Sequence, residues 1–189
     1  AVVTAAMGRL VTAASMMGVM LKDGKNSVTL RVDGGGEIGT MIAVSDGFVN
    51  SRVYVQNPIV EIPLNSAGKL DVGGAVGTDG YLTVVKDIGL REPYIGKIKL
   101  VSGEIAEDIT SYYAISEQIP TVCAIGVLVN PNLSVKHAGG FLVQLLPGAT
   151  NEEITYLENN ISELSSVTQM MSEGKTPLDI AYTVLDGFN

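Results

Sequence analysis

SVTLRVDGGGEIGTMIAVSDGFVNSRVYVQNP (Ser27–Pro58) decides the fold. Ser27–Val32 alternates apolar and polar side chains with period two and is β-branched, so it reads as a half-buried strand. Gly34–Gly36 supplies a turn, Thr40–Ser45 the returning strand, and Asp46-Gly47 a hairpin signal. Phe48–Gln56 is then a third strand, ended by Asn57-Pro58. Strands joined in succession by tight turns make an antiparallel meander. Gly34, Gly36 and Gly39 also match G-x-G-x-x-G, a dinucleotide fingerprint. That motif works only where the turn opens a helix whose N-terminus receives the pyrophosphate. A strand follows here, so a glycine hairpin is the reading.

Outward from the meander, Leu70–Gly80 is punctuated by glycine and reads as a loop, and Tyr81–Lys86 and Tyr94–Val101 read as two more strands. Ser102-Gly103 opens a helix with Glu104, Glu107 and Asp108 in its first turns, where carboxylates offset the positive helix end. Its expected buried face is Ile105, Ile109, Tyr112, Tyr113 and Ile115. A last hairpin follows, Val122–Asn130 and Phe141–Leu146, flanking Pro131-Asn132 and Gly139-Gly140. The fold class is α+β: a mostly antiparallel sheet packed with helices, over residues 1–149.

After Pro147-Gly148 the pattern is helical only, a short segment over residues 150–189. Thr150 and Glu153 form a capping box, and Ile154, Leu157, Ile161 and Leu164 share one helical face. Val167, Met170 and Met171 mark a second short helix closed by Gly174. Thr176, Pro177 and Asp179 start a third, with Leu178, Ala181, Val184, Leu185 and Phe188 as its face. Such helices are polar on one side and must lie on something. The candidate packing or partner-binding face is therefore Leu157, Ile161, Leu164, Met170, Met171, Leu178, Val184 and Leu185. The bland reading is a layer sealing the core. The sharper one is a detachable cover, and Met170 and Met171 suit it because thioethers repack around varied shapes.

Composition narrows the function. Of 189 residues, 20 are acidic and 12 basic, a net charge of −8. No Lys/Arg cluster interrupts this, which argues against nucleic acid or anionic lipid as partner. The apolar start, Ala1–Leu21, is long enough to suggest a membrane span. Arg9 near its middle and its Ala, Gly, Ser and Thr content argue instead for a buried helix closely approached by another element. With no basic n-region or cleavage site, it is not read as a signal peptide either. At Ala1 the helical pattern is already running, and the expectation is a chain truncated at that end. One cysteine, Cys123, excludes an internal disulfide and suits a reducing cytosol. In TVCAIGVLV it reads as a small hydrophobe. The one histidine, His137, excludes a His-rich metal site and reads as a surface residue.

No catalytic constellation is assembled. Glu104, Glu107 and Asp108 could serve as an acid–base pair only if unequal environments split their pKa values, and nothing in the sequence marks one as buried. Lys86-Asp87 reads as a strand-end charge pair. Ser102-Gly103 is not a nucleophile elbow, and no metal-ligand spacing occurs. An enzyme is not expected.

LNSAGKLDVGGAVGTDGYLTVVKDIGLREPYIGKIKLVSGEIAEDITSYYAISEQIP (Leu64–Pro120) carries little chemistry but a specific pattern. Its LNSAGKLDV, AVGTDGYLTVVKDIGL, VSGEIAED and SEQIP runs resemble a family known for redox-regulated heat-shock holdases of bacteria, the thirty-three-kilodalton heat-shock proteins. Gly8-Arg9, Met16–Gly18, Gly34–Gly39, Tyr54–Pro58, Gly126–Pro131 and Ala138–Phe141 fit as well. The resemblance implies a cytoplasmic stress-response chaperone that binds unfolded proteins without ATP, often as a homodimer with elements exchanged between chains. It also implies a three-part plan: an α+β domain, a helical linker across it, and a zinc domain whose four cysteines form disulfide bonds on oxidation and expel the metal. Structural zinc contributes folding energy, so its loss can melt such a domain. None of the C-x-C or C-x-x-C cysteines occurs in this sequence. The expectation is the N-terminal domain plus the start of the linker, with no cofactor and no redox switch of its own, inactive as a sensor and active without oxidation. The alternative is a structural or oligomerisation module without client binding, which would lack a contiguous exposed apolar patch.

Overall fold

A computed structural model describes residues 1–188. The elements in order are α1 (Val2–Val19), β1 (Ser27–Asp33), β2 (Met41–Asp46), β3 (Ser51–Val55), α2 (Val72–Val76), β4 (Tyr81–Asp87), β5 (Tyr94–Lys99), α3 (Ala106–Tyr112), β6 (Thr121–Val129), β7 (Val135–Gln144), α4 (Asn151–Ser162), α5 (Val167–Ser172) and α6 (Pro177–Val184). A π-helical turn, Tyr113–Glu117, extends α3. The α+β expectation holds. Five antiparallel strands form one sheet in the order β3-β2-β1-β4-β5, and β6 and β7 form a separate two-stranded ribbon.

The period-two pattern sends Val28, Leu30, Val32, Met41, Ala43, Leu82, Val84 and Ile98 to the buried face of the large sheet. Helix α1 packs on that face and, on its other side, against the ribbon. It qualifies by length and mean hydropathy (18 residues, 1.4) as a membrane span, but it is the central helix of the fold. Ala5, Ala6, Ala13 and Ala14 are buried in it, and small residues let two sheets approach one helix. Gly8 shows how closely: a Cβ there would lie 2.9 Å from Val127 of the ribbon.

Two glycine motifs explain each other. The backbone of Gly36 donates to Val76 O (2.9 Å) and that of Ile38 to Ala75 O (3.1 Å). A Cβ at either Gly34 or Gly36 would come within 2.2 Å of carbonyl oxygens at the end of α2. The triple-glycine turn is thus a cradle for α2, whose N-terminus Asp71 caps through Gly74 N. That helix, Val72–Val76, interrupts the loop expected over Leu70–Gly80.

Other boundaries also shift. Phe48–Gln56 yields strand only over Ser51–Val55, because the Asp46 carboxylate accepts from Phe48 N and Asn50 N and holds a wide turn. Ile115 is 66% exposed, not buried. The π-helical turn adds a residue to the repeat and rotates Ile115 off the inner face. Helix α3 starts at Ala106, after Glu104. The last strand runs from Val135, so Gly139 and Gly140 lie inside it.

Candidate functional site: an apolar seam beneath a helical layer

Two hydrophobic cores occupy the molecule. The larger joins α1, α2, α3 and the five-stranded sheet. The smaller consists of Leu157 of α4, Val167 and Met170 of α5, and Ile180 and Val184 of α6, packed with Ala124, Phe141, Val143 and Leu145 of the ribbon. Alternation along β6 and β7 divides their side chains between the two. Cys123, Ile125, Val129 and Leu142 face the large core, whereas Ala124, Phe141 and Val143 face the helices. A strand covered on both sides has no polar face to show, which is why TVCAIGVLV reads as an unbroken apolar run.

The helical layer looks after its own backbone. Thr150 and Glu153 form a capping box at α4, and Thr176 and Asp179 form another at α6; Ser166 accepts from Gln169 N at α5. These local bonds hold the Glu153 carboxyl below its usual 4.5 through Thr150, and that of Asp179 below its usual 3.8 through Thr176. Between helices, Asn160 Nδ2 donates to Asp186 O (2.8 Å) and Val184 O (3.3 Å). Tyr156 and Phe188 meet edge to face at 5.5 Å. The layer is therefore stitched to itself by polar contacts and to the ribbon by apolar ones.

Of the residues expected on the packing face, Leu157, Met170 and Val184 are buried in the seam, and Ile161, Leu164 and Met171 are half-buried against it. Leu178 and Leu185 do not share this burial: they are 62% and 42% exposed. With Tyr182, 70% exposed, they form an outward stripe at spacings of four and three along α6. The inward face belongs to Ile180 and Val184 instead. This helix is apolar on two sides, so its pattern alone does not say which side docks. Sequence reasoning also missed Gly126 and Gly139, which pair across the ribbon directly under α5. Glycine inside a strand pattern is the signal for close approach of another element.

The candidate catalytic carboxylates are occupied structurally. Glu104 pairs with Arg9 of α1 and accepts from Gly73 N of α2 (2.9 Å). Asp108 is 1% exposed and accepts from the backbone of Val101 (2.7 Å), Ser102 (3.2 Å) and Ile105 (3.0 Å). These bonds hold Ile105 at φ 74, a left-handed position rare for a β-branched residue, in a tight turn closed by Ala106 N to Glu104 O (3.0 Å). Glu107 is exposed. Lys86 pairs with Glu117 (2.7 Å), not Asp87, beside the rings of Tyr94, Tyr112 and Tyr113. Burial raises the Glu117 carboxyl, but Lys86 and the Tyr112 hydroxyl outweigh it and hold the group below its usual range. Burial pushes the Cys123 thiol up to about 12, the setting of an inert thiol.

Comparison with known proteins agrees with this architecture. The family model described as "Hsp33 protein" matches residues 1–189. The 33 kDa chaperonin of Acetivibrio thermocellus is 52% identical over 182 residues, covering 96% of this chain and 61% of that protein. That of Clostridioides difficile is 53% identical over 186 residues, covering 98% and 64%. The crystal structure of the 33 kDa chaperonin of Thermotoga maritima superposes with a TM-score of 0.90 at 42% identity, over 97% of this chain and 62% of that one. The chain thus spans under two thirds of the length of these relatives. On the family match, the sequence identity and the shared fold together, the chain belongs to the Hsp33 family.

Proposed function

We propose that this chain is the holding part of a redox-regulated, ATP-independent chaperone of the cytoplasm, binding unfolded proteins under oxidative and heat stress. The observation that carries the reading is the seam: a ribbon with apolar side chains on both faces, one of them covered only by three short, self-capped helices. Moving those helices aside exposes Phe141, Val143 and Leu145, and apolar area binds unfolded chains at about 25 cal/mol per Å² without regard to their sequence. The Leu178–Tyr182–Leu185 stripe adds apolar surface that is already outside. No bond in the client is made or broken, and two of the three candidate carboxylates, Glu104 and Asp108, are engaged in holding the core together. The names of the relatives, all 33 kDa chaperonins, support the same reading. The proposed working unit is a homodimer, with exchange of elements between chains as one route to it.

Zinc, implied by the family resemblance, does not fit the donors present. Among the described residues no three His, Cys, Asp or Glu side chains converge, and Cys123 is driven away from the thiolate that a zinc ligand must be. No part of the proposed holding step runs through a metal.

The test is light scattering from a thermally unfolding client in the presence of this 189-residue chain or its Val184→Asp variant. A carboxylate placed in the seam lifts the helices. Suppression of aggregation should strengthen in the variant, in step with binding of a dye that reports apolar surface. If dye binding rises while suppression does not, the exposed seam is not a holding surface and the reading falls.

A further inference from the structure

Met171 is the methionine that packs on the glycine pair of the ribbon. Gly126 and Gly139 lie opposite each other in the ribbon, and α5 rests on this bare pair. A Cβ on Gly126 would stand 2.8 Å from Thr168 Cγ2; one on Gly139 would stand 2.8 Å from Met171 Sδ and 3.3 Å from its Cε. The thioether therefore fills the notch that glycine leaves, with Val167 beside it. Met170, its neighbour, is 1% exposed, whereas Met171 is half-buried. One sulfur is sealed inside the seam. The other is both a packing group and reachable from solvent.

We propose that Met171 is an oxidant-responsive modification site, and that its sulfoxidation by a hydroperoxide lifts α5 from the ribbon. The consequence for client holding rests on the reading above; the site itself does not. A sulfur lone pair attacks the terminal peroxide oxygen, forming S–O as O–O breaks. The thioether loses two electrons to become a sulfoxide, and the peroxide is reduced to water or, from an organic hydroperoxide, to the alcohol, the proton passing to the leaving oxygen. The product is polar where the notch is lined by strand backbone and Val167, and sulfoxides disrupt methionine-containing interfaces for this reason. This departs from the expectation, drawn from the cysteines, of a chain with no redox switch of its own: the switch is a thioether. Met17 and Met41 are sealed in the large core, and Met7 and Met16 are half-buried on α1, away from the seam. Met20 is 44% exposed at the end of α1, where the Tyr113 hydroxyl donates to its sulfur, and it will oxidise without touching the seam.

The experiment uses the 189-residue chain carrying Met7→Leu, Met16→Leu, Met20→Leu and Cys123→Ala, treated with hydrogen peroxide and then catalase. Peptide mass spectrometry should find one added oxygen at Met171, and amide exchange in α4, α5 and α6 should accelerate about tenfold or more, as expected for a buried apolar group made polar. Met171→Leu should abolish the acceleration, Met171→Gln should reproduce it without oxidant, and methionine sulfoxide reductase should reverse it. An unmodified Met171, exchange unchanged despite complete modification, or equal opening in Met171→Leu would each overturn the proposal. Client holding is measured in parallel, with Gly139→Val lifting α5 by bulk alone. Opening without gain of holding in both cases counts against the holding reading and leaves the oxidation site standing.

Discussion

The two cores of this protein are built on opposite plans. In the large one, α1 is enclosed between two sheets, and residues far apart in sequence meet through Arg9, Gly73 and Glu104. In the small one, each helix closes its own backbone within three residues of its start, and only side chains reach the ribbon. A region whose polar groups are satisfied locally can separate from its neighbour at the expense of apolar area alone. A region whose polar groups are satisfied at long range cannot. Stability in this molecule is thus expected to be graded, with the helical layer at the low end.

The contrast can be tested from its strongest consequence downward. Leu10→Ala, at a fully buried position of α1, should cost about 2–5 kcal/mol and lower the whole denaturation curve. If it loosened only part of the chain, the large core would not be one unit. Leu157→Ala should cost roughly 2 kcal/mol or somewhat more, but only locally. Exchange in α4–α6 should rise while the amides of β1 and β4 keep their protection, and a matching loss in those strands would erase the distinction. Thr176→Ala removes the acceptor for Asp179 N and should destabilise α6 by about 1 kcal/mol, visible as faster exchange there with an unchanged global midpoint.

The smallest expected effect is that of acid. Folding depresses the Glu153 and Asp179 carboxyls, so their contribution is complete above the unfolded values near 4.5 and 3.8 and is lost as pH falls through the lower folded ones. Exchange in α4 and α6, corrected for its intrinsic pH dependence, should therefore rise below about pH 4. Glu153→Gln should flatten the response at α4, and a response that survives would assign the pH dependence elsewhere.

The sequence made the large sheet legible because its strands are buried on one face, and period two is then visible in Ser27–Val32 and Thr40–Ser45. The helix starts at Thr150 and Thr176 were legible because capping is local chemistry. What stayed hidden depended on backbone geometry and packing that side-chain patterns do not carry. Ser102–Asp108 looks like an ordinary helix start until Asp108 is seen taking three backbone donors. Ile115 needs knowledge of a π-helical turn that no side-chain pattern announces. Leu178 and Leu185 lie on a helix with two apolar sides, of which the one carrying Ile180 and Val184 is buried. The family pattern in Leu64–Pro120 was specific while its chemistry was silent, because its glycines and carboxylates shape backbone.

The forced backbone at Ile105 has one more consequence. An isoleucine does not stay at φ 74 unless its surroundings insist, and here Asp108 directly, with Arg9 and Glu104 beside it, does the insisting. Slackening at this spot would let the residue relax toward negative φ and cancel the bonds that enforced it, so the junction of α1, α2 and α3 is all-or-none. Loosening of the outer helices is thus expected to stop at the far side of the ribbon and to leave the body beneath intact.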